Sequence, residues 1–300
     1  MRALSGCRER VFFAAALVLT LTAFVTGARP VRSTCSTVVG DRWIHVVAAG
    51  ESWMSIGARV GVDPGVLAAR NGRTLRTALR PGDVLGIDNR HIVPTDDGMD
   101  VIVNVPQRML FHYSDGELRA HYPVAVGGAD WQTPLGAFTI LVKETDPTWD
   151  VPLSIQEEMR RAGKPVLKTV PPGPRNPLGA YWLGLNLGSI GLHGTNAPSS
   201  IYRFATHGCI RLHPDDIEDL FQHVAAGDQG RIVYEPVLLA FDGTDVFVEV
   251  HRDAYRRAPG ALGRALELVE RADLEDRIDL PELVRAVGEA AGVAVPITRR

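Results

Sequence analysis

The stretch that decides both the fold and the chemistry is GLHGTNAP at residues 191–198, followed by THGCIRL at residues 206–212. It contains a cysteine, Cys209, preceded by glycine and close in sequence to His193. A cysteine nucleophile reacts as the thiolate, so it needs a base or an imidazolium nearby to lower its pKa from about 8.5. His193 can lie beside Cys209 if the two flank a loop. The stretch therefore predicts a nucleophile–base pair, whose orienting third member could be a backbone carbonyl near Gly194.

Two other interpretations of these residues stay open on their types and spacing alone. One is a zinc site, for which the available ligands are His193, His207, Cys209 and His213. Zinc sites favour ligands paired at regular short spacings, and His207-x-Cys209 is an unusual pair, so this interpretation is the weaker one. The other is a structural cysteine buried between hydrogen-bonded histidines.

The same residues resemble the signature of the L,D-transpeptidase (YkuD) catalytic domain. That signature is a histidine, an intervening loop, then Ser/Thr-His-Gly-Cys and an Arg or Asn, which His193 and residues 206–211 match. Thr206 stands where serine is commoner, and both supply a hydroxyl. Further similar segments lie upstream, at residues 127–138, 147–149 and 171–179. The resemblance extends over residues 99–236 and implies a mostly antiparallel β domain.

What the resemblance implies is an acyltransferase that acts on peptidoglycan and uses no metal or organic cofactor. Cys209 attacks the carbonyl between the third residue of a tetrapeptide stem and the terminal D-alanine, and His193 acts as base and then as acid. The backbone N–H groups of Gly208 and Cys209, with His207 nearby, form the oxyanion hole. The residues implied to bind substrate are Arg211, Thr206, Asn196 and Gly194, with Arg211 suited to a carboxylate.

The acceptor of the acyl group stays open. A second peptide stem would give a 3→3 cross-link, and a lysine of an outer-membrane lipoprotein would give a protein anchored to the wall. A D-amino acid is a further acceptor. Transfer to water would make the protein an L,D-carboxypeptidase or a hydrolase that detaches lipoprotein from peptidoglycan. The non-enzymatic alternative is an inactive peptidoglycan-binding protein, against which the intact pair of His193 and Cys209 argues.

Residues 44–88 form a separate unit that reads as strand, helix, helix, strand. Apolar residues of the first helix recur with helical spacing, and Pro64 follows Asp63 at the start of the second, which suits a capped helix. The segment resembles the LysM module at Gly50-Glu51-Ser52, Asn71-Gly72 and the close at residues 81–87. This resemblance implies binding to glycans that contain N-acetylglucosamine, such as peptidoglycan.

Residues 1–28 have the organisation of an export signal. Arginines precede a charge-free run at residues 11–25, and small residues follow at 26–28. We therefore expect the protein in the periplasm or the cell-wall space, with an uncleaved membrane anchor as the alternative. Cys35 and Cys209 would be the two cysteines after cleavage, and whether they pair stays open.

The composition is that of a folded globular protein and argues against disorder, a collagen-like repeat and a polytopic membrane protein. The 300 residues are 45% hydrophobic and 22% charged, and the net charge of −3 includes no basic surplus for nucleic acid. The predicted fold class is α+β. A small βααβ module at residues 44–88 precedes a β-sandwich catalytic domain at residues 99–236 and a C-terminal strand and helical extension at residues 237–300, for which no chemistry is predicted.

Overall fold

The structure is a computed structural model that describes residues 36–95 and 98–300. The predicted export signal and Cys35 lie outside the described residues. Within these two ranges, no helix is both long and apolar enough to cross a membrane.

The N-terminal module has the strand–helix–helix–strand order that the sequence predicts. Its elements are β1 (Val38–Val39), β2 (Arg42–Val46), α1 (Trp53–Val60), α2 (Pro64–Arg70), β3 (Val84–Asp88) and β4 (His91–Ile92). Strands β2 and β3 pair antiparallel. Ser52 caps α1 in a capping box with Ser55, and Asp63 caps α2. Trp53 and Leu67 meet in the small core between the helices and the sheet.

The central part is rich in strands. Its elements are β5 (Val101–Asn104), β6 (Met109–Ser114), β7 (Glu117–Gly127), β8 (Gly136–Thr145), β9 (Trp149–Asp150), α3 (Leu153–Arg161), β10 (Thr169–Val170), β11 (Tyr181–Leu185), β12 (Gly191–His193), β13 (Phe204–Thr206), β14 (Ile210–Leu212), α4 (Pro214–His223) and β15 (Gln229–Val233). This part is mostly strand, with the two helices α3 and α4. Most of the strand pairs are antiparallel, as the sequence indicates.

The strands of the central sheet form a closed ring instead of the two separate sheets of the predicted sandwich. The order is β13-β7-β14-β12-β11-β8-β15-β5-β6, and β6 also pairs with β7. Strand β7 pairs with β6 along its first part and with β14 and β13 at its end. Strand β8 likewise pairs with both β15 and β11. Strands β7 and β8 each belong to both halves of the sheet. The two halves are therefore joined at both edges, which closes the ring.

The C-terminal part contains more sheet than predicted. Its elements are β16 (Val237–Phe241), β17 (Val246–Val250), α5 (Ala261–Arg271), α6 (Leu280–Glu289) and β18 (Val295–Pro296). The expectation of one strand followed by helices is therefore wrong in that β16, β17 and β18 form a three-stranded sheet. The two amphipathic helices cover this sheet and bury Ala265, Val269 and Leu283 against it.

A fully buried carboxylate connects the three parts of the chain. Glu249 on β17 accepts hydrogen bonds from His91 Nδ1 at 2.7 Å, from His251 Nε2 at 2.7 Å and from Gln107 Nε2 at 3.1 Å. The other nitrogen of His91 lies 2.9 Å from the carbonyl oxygen of Gly61, so both ring nitrogens face acceptors. Burial penalises the charged carboxylate, but the charge of His91 and the bonds from both histidines outweigh it and lower the pKa of Glu249 to about 2.

We expect Glu249→Gln to lower the free energy of unfolding by roughly 3–5 kcal/mol, because it breaks the buried pair of Glu249 with His91 and leaves buried N–H donors facing an amide nitrogen. Denaturant unfolding measures this, and Glu267→Gln on the exposed face of α5 is the matched control. Since the pKa of Glu249 is lowered on folding, its contribution is complete above the unfolded value near pH ~4.3 and is lost as the pH falls through about 2. Equal stability of the two variants at neutral pH would contradict this account.

Candidate active site

The two halves of the predicted motif come together because β12 and β14 pair in parallel. Leu192 lies opposite Ile210, and His193 lies opposite Arg211. Leu192 and Ile210 are completely buried, so the sheet core fixes this register. Two parallel strands need a connection that returns along the sheet. That connection ends in the turn at residues 206–209, which brings Cys209 to the strand that carries His193.

Thr206 holds this turn through its side chain. Its hydroxyl donates to the carbonyl oxygen of Cys209 at 2.5 Å and accepts from the Gly208 N–H at 3.2 Å. Gly208 has a φ of 108°, and a Cβ there would lie 2.9 Å from Ile190 Cδ1, so the turn requires glycine. The Gly208 N–H is therefore occupied by Thr206. We predicted that the N–H groups of Gly208 and Cys209 form the oxyanion hole. Of these two donors, the structure leaves the Cys209 N–H available.

His193 is buried and oriented by its own neighbour. Its Nδ1 lies 2.6 Å from the carbonyl oxygen of Gly194, the type of partner that the sequence suggested. A carbonyl can only accept, so Nδ1 carries the proton and Nε2 of the neutral ring carries the lone pair. Trp182 stacks near the ring at 6.0 Å between centroids. Burial, and then the charge of Arg211, lower the pKa of His193 to about 3.

Cys209 is a partly exposed thiol that is protonated at rest. Its Sγ donates to the carbonyl oxygen of Ser189 at 3.6 Å. Burial raises the pKa of Cys209, and the Gly191 backbone and the charge of Arg211 offset this only in part. In the ligand-free protein Cys209 and His193 are thus both neutral, and no hydrogen bond joins them among the bonds of the described residues. Such contacts often tighten only when the substrate is bound.

A cavity of 620 Å³ opens over these residues. Of the eight side chains and glycines predicted for the site, those that line it are His193, Thr206, His207, Cys209 and Arg211. Asn196 is exposed and lies outside this lining, so its predicted place in the pocket is not supported. Gly194 also lies outside the lining and acts through its carbonyl on His193, and Gly208 is part of the turn but does not line the cavity.

Arg211 is the cation of the cavity. Its Nη1 donates to the Ser200 hydroxyl at 2.9 Å, whereas its buried Nε has no hydrogen-bond partner. No carboxylate of the described residues forms a salt bridge with it. A partly buried guanidinium in a cavity, with donors to spare, is suited to a carboxylate of a ligand.

Helix α3 and its flanking strands supply a wall that the sequence analysis missed. Glu158 of α3 lies 3.0 Å from Nε2 of His207, and the ring of Trp131 lies 5.2 Å from that imidazole. Residues of the same wall that face the cavity are Glu144, Trp149, Asp150, Ile155 and Trp182. In the sequence, the only indication of these residues was the similarity of residues 147–149 to the L,D-transpeptidase family. The strand register decides which side chains face the cavity, and the sequence pattern does not predict that register.

His213, one of the four candidate zinc ligands, has another role. Its Nδ1 accepts from the Asp215 N–H at 3.4 Å, at the N-terminus of α4. Within residues 36–95 and 98–300, no group of three or more histidine, cysteine, aspartate or glutamate side chains is arranged to hold a metal ion.

The family model and the relatives in sequence agree on one family. Residues 98–239 match the model of the YkuD family, the L,D-transpeptidase catalytic domain. The chain is 31% identical over 249 residues to the probable L,D-transpeptidase YcfS of Escherichia coli K12, an alignment that covers 80% of this chain and 77% of YcfS. The probable L,D-transpeptidase YbiS of the same strain is 34% identical over 57% of this chain and 56% of its own length. Among solved structures, L,D-transpeptidase 3 from Mycobacterium tuberculosis has 17% identity and a TM-score of 0.36, over 52% of this chain and 76% of its own.

We expect Cys209 to react with iodoacetamide at a rate that rises about tenfold per pH unit from pH 6 to 8, because only the thiolate reacts and its pKa is raised. Peptide mass mapping against time gives the rate. His193→Ala should leave this rate nearly unchanged, as should His223→Ala at an exposed histidine, because no hydrogen bond joins His193 to the thiol in the ligand-free protein. A rate that stays flat down to pH 5 would indicate a preformed thiolate–imidazolium pair and contradict the neutral resting state.

Proposed function

This chain belongs to the L,D-transpeptidase family, and from that premise we propose that Cys209 and His193 transfer a peptidoglycan stem acyl group to an amine. The observation that carries the proposal is the composition of one cavity. It contains a thiol, a buried neutral imidazole whose Nδ1 is held by a carbonyl, and a guanidinium with an unpartnered Nε. These are a nucleophile, a base and a binding group for the carboxylates of a peptide stem.

The acylation step begins with the proton of the thiol. His193 Nε2 takes the Sγ proton as the sulfur attacks the carbonyl carbon that precedes the terminal D-alanine. The oxyanion forms near the Cys209 N–H and His207. When the tetrahedral intermediate collapses, the C–N bond breaks and His193 returns the proton to the leaving amine. A thioester on Cys209 and free D-alanine result.

Substrate binding itself makes His193 a stronger base. The charge of Arg211 is one of the two causes that lower the pKa of His193. A substrate carboxylate bound to Arg211 offsets that charge, so the imidazolium that forms during catalysis is less disfavoured. The neutral resting pair therefore becomes competent when the stem is in place, which limits reaction of the thiol with other molecules.

The acceptor that suits this cavity is an ammonium or amine group. Glu144 and Asp150 line its wall together with Trp149 and Trp182, and carboxylates and aromatic rings both attract a cationic amine. The neutral amine attacks the thioester carbonyl and gives a proton to His193 Nε2; as the C–S bond breaks, His193 returns this proton to the Cys209 sulfur. A second stem peptide and the lysine of an outer-membrane lipoprotein both present such an amine. Transfer to water, as in a carboxypeptidase or a wall-detaching hydrolase, would not need this wall.

We expect Glu144→Gln combined with Asp150→Asn to lower transfer to amines at least several-fold while acylation continues, because the variant removes the charge that attracts the acceptor. Chromatography of products from disaccharide-tetrapeptide, with a stem or a C-terminal lysine peptide as acceptor, gives the ratio of cross-linked product to tripeptide. Glu157→Gln, on the exposed surface of α3, is the matched control. An unchanged ratio, or tripeptide as the sole product of the unmodified enzyme, would contradict an amine-selective wall.

We propose that residues 44–88 are a LysM-type glycan-binding module and that the protein is exported to the periplasm or the cell-wall space. The βααβ order of these residues supports the module, and a substrate outside the cytoplasmic membrane requires export. A bound glycan strand raises the local concentration of stems near Cys209 without altering the chemistry.

We expect the Cys209→Ala protein to sediment with insoluble peptidoglycan as the unmodified protein does, because glycan binding and chemistry use separate parts of the chain. Soluble N-acetylglucosamine oligomers should release it. A protein that remains in the supernatant would contradict the glycan-binding assignment and leave the transpeptidase assignment intact.

A further inference from the structure

Ser200 holds the cation of the active-site cavity from outside that cavity. Arg211, which lines the cavity, donates from Nη1 to the Ser200 hydroxyl at 2.9 Å. That hydroxyl donates its own proton to the carbonyl oxygen of Ala197 at 2.6 Å, so its lone pairs face the guanidinium. Ser200 itself does not line the cavity. It therefore acts on a bound molecule only through Arg211.

The bond to Ser200 is the contact that orients the Arg211 guanidinium. Among the described residues, no other acceptor binds Nη1, and Nη2 has no hydrogen-bond partner. An arginine side chain has many rotamers, and its planar fork matches a carboxylate only when it is correctly turned. Loss of the bond from Nη1 would let the guanidinium turn, while its positive charge would stay in the cavity. Ser200 thus controls the direction of the donors and leaves the charge unaltered.

Ser200 lies on a segment that is anchored on two sides. It ends a short 3-10 helix, Pro198–Ser200, which contacts helix α1 of the N-terminal module. The next two residues, Ile201 and Tyr202, are 1% and 2% exposed, and they pack in one buried cluster with Ala58 of α1. The Tyr202 N–H also donates to the carbonyl oxygen of Val124 on β7 at 3.2 Å. The N-terminal module and the central sheet therefore set the position of Ser200 together.

Tyr202 has an unfavourable backbone conformation close to this point. Its φ is 60°, in the left-handed region that bulky residues rarely adopt. Arg108 Nη1 donates to the Tyr202 carbonyl oxygen at 3.1 Å, and the Arg108 guanidinium lies 4.0 Å from the centroid of the Tyr202 ring. Such a conformation persists only where the surrounding structure fixes the backbone, and it is frequent at functional sites. Packing, and not local preference, therefore decides the path of the chain next to Ser200.

We propose that Ser200 is a positioning residue, which holds the Arg211 guanidinium in the orientation that receives a substrate carboxylate, and that α1 keeps Ser200 in place. The N-terminal module then contributes to the active site by its packing, in addition to the glycan binding proposed above. The identity of the carboxylate rests on the proposed function. The orientation of Arg211 by Ser200 does not, and it can be measured without turnover.

The test compares the alkylation of Cys209 by iodoacetate and by iodoacetamide in the full-length protein. In both reactions an S–C bond forms at Sγ and iodide leaves, but only iodoacetate carries a carboxylate for Arg211. We expect Ser200→Ala to lower the ratio of the iodoacetate rate to the iodoacetamide rate by roughly threefold to tenfold, because a hydrogen bond to the guanidinium is lost. Ser200→Thr retains the hydroxyl and should retain the ratio. Ser199→Ala, at the exposed neighbouring serine, is the matched control.

Further variants show whether Ser200 acts through Arg211. In the Arg211→Gln background, Ser200→Ala should have no additional effect on the ratio, because no guanidinium remains to be oriented. With disaccharide-tetrapeptide as substrate, Ser200→Ala should raise KM by a larger factor than it lowers kcat. Ala58→Val crowds the contact of α1 with Ile201 and should lower the alkylation ratio, whereas Ala69→Val, at an exposed position of α2, should not. Ala58→Gly is the second variant if Ala58→Val does not fold.

Three results would overturn the proposal. A ratio in Ser200→Ala equal to that of the unmodified protein would remove the positioning role. An equally large loss in the Arg211→Gln background would show that Ser200 acts on the loop and not on Arg211. An unchanged ratio in folded variants of Ala58 would remove the part assigned to α1. If the predicted ratios are found but no acyl transfer occurs, the proposed function fails while the positioning of Arg211 stands.

Discussion

The parallel pairing of Gly191–His193 with Ile210–Leu212 is the constraint on which the active site depends. In this register Cys209, one residue before Ile210, lies level with Gly191 at the start of the strand that carries His193, so the proposed nucleophile and base need no adjacency in sequence. Leu192 and Ile210 are buried in the sheet core, and a shift of one residue would turn the wrong side chains inward. Hydrophobic packing thus fixes the geometry of the proposed site, and the turn at Thr206 refines it.

Electrostatics then sets the resting state of the site. Burial raises the pKa of Cys209 and lowers that of His193, so both groups are neutral before the substrate arrives. Arg211 affects both groups and has no carboxylate partner within the described residues. A ligand carboxylate is consequently part of the site's charge balance. The family's chemistry and this charge arrangement together favour a peptide stem as the molecule that completes it.

Sequence could predict those features that local chemistry encodes. The sequence predicted three such features: the pairing of His193 with Cys209, the carbonyl that orients the imidazole, and the order of elements in residues 44–88. Each of them depends on a short-range sequence pattern. The wall of Glu144, Trp149 and Glu158 was not readable, because strand register and the docking of α3 decide which side chains face the cavity. The hydrogen bond between the Gly208 N–H and Thr206 could not be predicted, because it depends on the conformation of the turn. The closed ring of strands could not be predicted either, because it depends on where β7 and β8 change their pairing partners. The buried contacts of Glu249 join residues that are far apart in the chain.

Intact-protein mass spectrometry after incubation with disaccharide-tetrapeptide tests whether Cys209 forms a covalent acyl-enzyme. The account predicts a covalent adduct with the mass of the stem acyl group less D-alanine, located on Cys209 and absent from Cys209→Ala. It also predicts that His193→Ala slows formation of the adduct and that an added amine discharges it. A protein that remains unmodified while it retains bound peptidoglycan would contradict the account and indicate a binding protein.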